Sequence, residues 1–430
     1  MQKFVKKTFR HGVHFHDKKE LSKGQATEVM PTPGDVFISV SQHIGAPSAV
    51  TVAPGDKVVK GQLIADAVGG LGCKVYSSVC GEVVEIVKKA GATGALSDHI
   101  HIRTDGSDET MALPPMTSKD GAAIRQRIAD AGIIGMGGAG FPTGVKLSPS
   151  KPVDTLIING AECEPYITCD YRLMLEKTVG IVSGARYLAE ACGVENVVFG
   201  VEDNKMDCVA ALSEAGAKVV VLKKKYPQGA EKDLIFAVNG RKVPCGGLPM
   251  DVGVIVQNVA TAYAAFEAVE NNKPCYERVV TVSGGGVKQP KNLLVPNGTS
   301  YRDLLDYCGG ASDDTVKIIS GGPMMGFAVM DLGVTTTKTT GSVLALTKAE
   351  ANLTMPTPCI NCGRCARACP MSLMPMYIDF YTLAGDYDTA VKYGALNCFE
   401  CGSCAYVCPA RRAIVQSVRL CKQKIKERKK

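Results

Sequence analysis

Two runs near the end of the chain carry residues that can store electrons. CINCGRCARACP occupies 359–370 and CFECGSCAYVCP occupies 398–409, and each reads Cys-x2-Cys-x2-Cys-x3-Cys-Pro. Three thiolates at i, i+3 and i+6 grip one iron–sulfur cube. In two-cluster ferredoxins the fourth cysteine of each run, followed by proline, ligates the other cluster. The rule assigns Cys359, Cys362, Cys365 and Cys408 to one [4Fe–4S] cluster and Cys398, Cys401, Cys404 and Cys369 to the second. Structural zinc also uses Cys-x2-Cys pairs, but it has no use for four cysteines per run with a proline after each fourth.

A second stretch, GMGGAGFPTGVK at 135–146, contains Gly-x-Gly-x-x-Gly at Gly135, Gly137 and Gly140. A dinucleotide fingerprint follows a strand and opens a helix. Here a helical pattern precedes the glycines and Pro142 follows them, which is a poor Rossmann turn. As a loop cradling a phosphate or a flavin it is sound physics. Gly137, Gly138 and Gly140 let the backbone approach a planar ring, exposed N–H groups bind anionic oxygens, and Lys146 can neutralise a phosphate.

The elements that position these residues read as a multidomain α/β chain. Residues 1–112 form an N-terminal segment and a domain of short strands. In it, VAPGDKVVKGQ (52–62) resembles the barrel-sandwich fold of biotinyl and lipoyl domains. The turn that carries the modifiable lysine in those domains is AVGGLG (67–72) here, so the fold is expected without swinging-arm chemistry. Residues 113–272 alternate strand and helix patterns, which predicts a largely parallel, Rossmann-like sheet with crossover helices; YRLMLEKTVGIVSGARYLAEACG is expected as one long helix. Residues 273–345 read strand, capped helix, strand, a small β-grasp module. Residues 346–418 form a helical two-cluster domain, and 419–430 a basic tail with seven Lys/Arg against one Glu.

Composition narrows the function classes. The chain has 430 residues and a net charge of +7. No apolar stretch approaches the roughly 20 residues of a bilayer crossing, and the start has no signal-peptide core, so a soluble or peripheral protein is expected. The 18 cysteines, eight of them in the cluster runs, fit a reducing cytoplasm. Without Trp or an aromatic–basic platform, nothing points to nucleic acid. The tail is expected either as a solvated end or as an attraction to anionic lipid or an acidic partner, worth about 1 kcal/mol per basic residue at a membrane.

The order of parts has a family likeness. GMGGAGFPTGVK, INGAECEPYITCDYRL (158–173), YPQGAEKDLI (226–235) and QNVATAYA (257–264) resemble segments of the flavin- and NADH-binding subunit of respiratory complex I. The β-grasp segment is similar to that family's soluble-ligand-binding (SLBB) module. With the barrel-sandwich domain before and the two-cluster domain after, the whole chain resembles the RnfC family, components of the membrane-bound Rnf NADH–ferredoxin oxidoreductases. The resemblance implies that Gly137, Gly138, Gly140, Lys146, Asn159 and Asn258 surround FMN. It implies that Phe141 and Glu164 face the adenine or ribose of NADH, and that Glu162 and Glu231 serve catalytically near the flavin–nicotinamide contact. Three departures remove polar contacts: Met136 replaces an Arg, Ala161 an Asp and Ala230 a Glu.

The implied function is exchange of hydride between NAD(H) and FMN, with single electrons passing through two [4Fe–4S] clusters to other Rnf subunits, both the membrane ones and the ferredoxin-facing iron–sulfur ones. Ferredoxin is engaged only indirectly, and the implied location is peripheral, on the cytoplasmic side of the cell membrane. Two other readings stay open: a flavin/iron–sulfur cobalamin reductase, and a wiring subunit whose flavin site has decayed.

Overall fold

The computed structural model describes residues 5–428. The N-terminal strands form two small sheets face to face. One runs Asp35–Ser39, Leu96–Thr104, Gly81–Ala90 and Lys57–Val58; the other runs Ala49–Val50, Leu63–Asp66 and Val75–Tyr76. Alternating residues such as Val36, Ile38, Ile100 and Ile102 point into a shared apolar core with Ile64 and Val83, the barrel-sandwich arrangement that period-two patterning predicts.

Four parallel strands form the next domain, in the spatial order Val219–Leu222, Asn196–Glu202, Thr155–Gly160, Val254–Asn258. Their continuous apolar runs are those of a sheet buried on both faces. The expected single helix over 171–193 is two helices, Cys169–Glu176 and Thr178–Cys192, broken at Lys177. The Thr178 hydroxyl donates to Met174 O at 2.5 Å, a side-chain bond that competes with helix continuation. The second helix packs on Val259–Glu270 so closely at Gly184 that a Cβ there would sit 1.8 Å from Ala262 O.

The β-grasp module gains strands that sequence pattern did not mark. Its six-stranded sheet runs Glu28–Val29, Lys291–Pro296, Glu277–Ser283, Ser342–Thr347, Thr315–Ser320 and Phe327–Val329. The first strand belongs to the N-terminal segment. That segment also bridges Lys7 to Leu222 and Val13 to Tyr226 on the α/β domain. Residues 5–30 therefore staple two domains together before the barrel begins.

In the two-cluster domain, five helices surround the cysteine runs: Arg364–Ala368, Pro375–Leu383, Tyr387–Lys392, Ser403–Tyr406 and Ile414–Glu427. The last helix corrects the basic tail. Residues 419–427 continue it without a break, and the 418/419 boundary falls inside it. Val418 and Cys421 are buried beside Ile378 and Ala390. Arg419 and Lys422 pair with Glu400 at 2.8 and 2.7 Å, and Lys422 also donates to Cys398 O at 2.6 Å. These cations hold a cysteine run in place instead of lying free in solvent; Lys429 and Lys430 lie outside the described residues. Among the described residues no helix is long and apolar enough to cross a membrane.

Candidate functional site

The parallel sheet delivers two asparagines at the C-terminal ends of neighbouring strands, where ligands of such sheets bind. Asn159 donates to Gly229 O at 2.9 Å and accepts from Ala161 N at 3.1 Å. Asn258 caps the Val259–Glu270 helix by accepting from Ala260 N, and its Nδ2 donates to Asp170 Oδ2 at 2.7 Å.

Gly137 lies against that asparagine; a Cβ there would come within 2.8 Å of Asn258 Nδ2. Gly138 is different, with no protein atom within 4 Å of a Cβ, so this part of the loop is open. Gly140 adopts φ 73° and packs on Thr339 and Gln42, which gives it a turn-forming reason to be glycine. Phe141 closes the loop by accepting from Gly135 N at 2.9 Å. Thr143, just after the loop, and Gln257, just before Asn258, each bury a side-chain polar atom without a partner, as a cradle completed by a polar ligand does. These features fit a flavin phosphate and ring.

Lys146 ends the short helix Thr143–Lys146 and pairs at 2.8 Å with Glu231, the first residue of Glu231–Asn239. Both are partly exposed, so the pair can open to a ligand. Glu162 and Glu164 turn elsewhere. Glu162 accepts from Asp170 N at 2.7 Å and Tyr171 N at 3.3 Å and faces Lys19 at 3.4 Å. It thus serves the unpaired N–H groups at the start of Cys169–Glu176. Glu164 accepts from Met324 N at 3.1 Å and Met325 N at 3.0 Å, and its carboxyl lies 3.4 Å from the Tyr226 hydroxyl. Desolvation pushes its pKa up to about 7 against the pull of those donors.

The family resemblance implies contact with NADH for Glu164 and with the reacting rings for Glu162. In the structure both carboxylates accept from backbone N–H groups, and the 161–166 segment is wedged between the N-terminal segment and a β-grasp turn. Lys19 donates to Glu164 O at 3.1 Å, and Tyr166 N donates to Asp17 O at 2.7 Å. Glu162 and Tyr166 take left-handed backbone angles, φ 43° and 68°, strain that such a wedge sustains. Of the three departures, Met136 and Ala161 are buried, and Ala161 O accepts from the buried Lys205 ammonium at 2.7 Å.

The eight cysteines fall into two groups. Cys359, Cys362, Cys365 and Cys408 line one cavity. Cys369, Cys398, Cys401 and Cys404 are mutual neighbours: burial pushes the Cys401 thiol up to about 12, and Cys398 and Cys369 beside it add to the rise. Cys404 is raised by burial and by the same three neighbours. The fourth cysteine of each run thus lies with the first three of the other, a donor set suited to two clusters. Iron–sulfur ligation takes thiolates, so cluster assembly releases protons.

Tyr226 joins the α/β domain to the cluster domain. Its hydroxyl donates to Cys401 O at 2.7 Å, and its ring packs with Phe15, 5.5 Å between centroids. The YPQG stretch carries a family likeness in sequence, but nothing there gives Tyr226 this role. Nor does sequence mark Lys19 or Asp170, whose partners lie far along the chain.

Comparison with known proteins agrees with this architecture. Residues 128–267 match the Nuo51 FMN-binding domain, 7–107 the RnfC barrel sandwich hybrid domain, 279–328 the SLBB domain and 358–411 the 4Fe-4S dicluster domain. The corresponding component of the proton-translocating ferredoxin:NAD(+) oxidoreductase complex of Clostridium ljungdahlii is 46% identical, across 97% of this chain and 93% of that protein. The chain belongs to the RnfC family of ion-translocating oxidoreductase components. The counterpart in the Na(+)-translocating complex of Acetobacterium woodii is 40% identical over 97% of each chain. Among solved structures, an NAD+-reducing [NiFe]-hydrogenase in its H2-reduced state matches with a TM-score of 0.50 at 17% identity, across 73% of this chain and 63% of that one, which is a likeness of fold. The chain therefore carries an FMN-binding domain and a domain for two [4Fe–4S] clusters.

Two glycine variants separate loop architecture from ligand contact. Gly137→Ala drives a methyl into Asn258, and thermal unfolding of the flavin-free protein is expected to show destabilisation of about 1–3 kcal/mol. The Cβ of Gly138→Val meets no protein atom, so flavin-free stability is expected to stay at the wild-type level while FMN affinity collapses, measured by fluorescence titration. Normal FMN binding by Gly138→Val would remove that residue from the cofactor site. Cysteine replacement tests the grouping. Cys369→Ala is expected to perturb the EPR signal of the cluster held by Cys398, Cys401 and Cys404, and Cys408→Ala that of the other. Each variant disturbing the cluster of its own run would refute the exchange.

Proposed function

We propose that this chain exchanges electrons between NAD(H) and the rest of an ion-translocating ferredoxin:NAD+ oxidoreductase complex. It works with the other subunits of that complex, meets ferredoxin only through them, and sits peripherally on the cytoplasmic side of the cell membrane. The observation that carries this reading is the Tyr226–Cys401 bond, which fixes the flavin domain against the cysteine group of one cluster. The relatives' names, one proton-translocating and one Na(+)-translocating, support the assignment to a membrane-bound complex.

FMN, when bound, links a two-electron hydride donor to one-electron carriers; the protein supplies binding, orientation and electrostatics. Gly138 leaves the loop open to the ring, while Asn258 and Asp170 hold the loop's shape from behind. The Lys146–Glu231 pair offers a cation for phosphate and a carboxylate at the mouth of the site. Phe141 and Asn159 complete the lining. Glu162 and Glu164 act on position: each fixes a backbone turn of the wedged segment. The eight cysteines hold the two clusters in one compact domain.

A second reading, a wiring subunit without hydride exchange, is favoured by one feature. Met136 lies in the apolar core where the complex I family carries an arginine, and the Arg278 guanidinium reaches only its backbone, 3.5 Å from Met136 O. NADH-dependent reduction of ferricyanide by anaerobic, iron-replete protein separates the two. Activity is expected with FMN and none without it. No activity after FMN has bound stoichiometrically would establish the wiring role.

A further inference from the structure

Between the cluster domain, the β-grasp module and the N-terminal segment runs a cleft of 1380 Å³ whose wall includes Cys408 and Pro409. Six cations line it: Lys317, Arg364, Arg367, Arg411, Arg412 and Arg419. Only one carboxylate does, Glu350. Arg412 and Arg419 are already paired, with Asp379 at 2.9 Å and Glu400 at 2.8 Å, and Arg411 donates to the Asn352 side chain. Lys317, Arg364 and Arg367 enter no ion pair among the described residues, and both arginines are exposed.

Glu350 does not balance these charges. Its Oε1 accepts from the Tyr166 hydroxyl at 3.0 Å, and its Oε2 accepts from Gly285 N at 2.9 Å and Thr347 N at 3.1 Å. The cleft also exceeds the roughly 300–1,000 Å³ typical of small-ligand pockets, so a nucleotide would leave much of it empty. Of the two cysteine groups, the one reaching this wall is the accessible one. Cys359 and Cys362 are exposed, Cys408 is half-buried and Cys365 buried, whereas Cys369, Cys401 and Cys404 are buried and Cys398 half-buried.

We propose that this cleft docks an acidic subunit of the same complex that carries one electron at a time, its carboxylates seated on Lys317, Arg364 and Arg367. Docking there brings the carrier's redox centre to the Cys359–Cys362–Cys365–Cys408 group. In each encounter one electron leaves the reduced protein and reduces the carrier by one, and no bond is made or broken. Arginine suits this task because its planar fork binds carboxylates in pairs. Opposite charges across such a face raise the encounter rate, an effect that salt suppresses. The inference rests on the two-cluster reading of the domain.

The test uses full-length, iron-replete protein, reduced and mixed by stopped flow with a small acidic two-iron ferredoxin as probe, and separately with basic cytochrome c. In Lys317→Glu/Arg367→Glu the rate constant for the acidic probe at low salt is expected to fall about tenfold, and that for cytochrome c to rise. High salt is expected to erase both differences. Lys317→Glu alone, outside the two cysteine runs, is expected to shift both rates in the same directions by less, and it decides the matter if the double variant loses iron. Unchanged rates in variants with full iron content would overturn the docking site. So would a raised KM for NADH with the acidic-probe rate unaltered, which would make the cleft a nucleotide site. Wild-type protein that takes up no iron would overturn the two-cluster reading, and the docking site with it.

Discussion

One hydrogen bond decides how the two halves of the molecule meet: the Tyr226 hydroxyl donating to the carbonyl of Cys401. Tyr226 is buried, and burial together with the nearby Glu164 carboxyl pushes its pKa far above the ordinary phenol range, so the hydroxyl stays a donor at any physiological pH. Cys401 in turn cannot shift, because Gly402 packs so tightly on the β-grasp turn that a Cβ there would lie 2.6 Å from Met324 O. The same turn donates two N–H groups to Glu164. Flavin domain, β-grasp module and cluster domain are thereby tied at one point.

Buried cations do the corresponding work at the other domain boundaries. Lys338, on the β-grasp side, donates to Lys74 O of the barrel at 2.6 Å and to Gly132 O of the α/β domain at 2.8 Å. Arg278 donates to Lys338 O at 2.6 Å, and Lys19 gathers Glu162 and the carbonyl of Glu164. A buried charge is costly unless its hydrogen bonds are satisfied, and removing a partner is severely destabilising. Lys338 draws its partners from two domains, and Lys19 ties the N-terminal segment to the α/β domain, so these parts cannot drift apart without stranding a buried charge. For electron transfer, which depends on fixed distances between centres, that rigidity is the useful property.

What could be read from sequence follows from how local the governing physics is. The cysteine groups were legible because cluster ligation sets the spacing within each run. The parallel sheet was legible because strands buried on both faces leave continuous apolar runs, as in VDTLIIN. The hydrogen bonds of Glu164 were not, since the N–H groups that it accepts from belong to Met324 and Met325. The C-terminal helix was half legible. Ile414, Val418, Cys421 and Ile425 mark an apolar face at helical spacing, but the abundance of Lys and Arg suggested a tail. Glu400, which recruits two of those cations, lies in the second cysteine run.

The coupling of the two sites through Tyr226 is tested most directly by rapid freeze-quench EPR. FMN-loaded, iron-replete Tyr226→Phe would be mixed with NADH, flavin bleaching followed by absorbance and cluster reduction by EPR. The expected result is flavin bleaching at the wild-type rate with cluster reduction slowed several-fold, since only the link to Cys401 is lost. Cluster reduction at the wild-type rate would contradict the coupling and leave Tyr226 as packing alone.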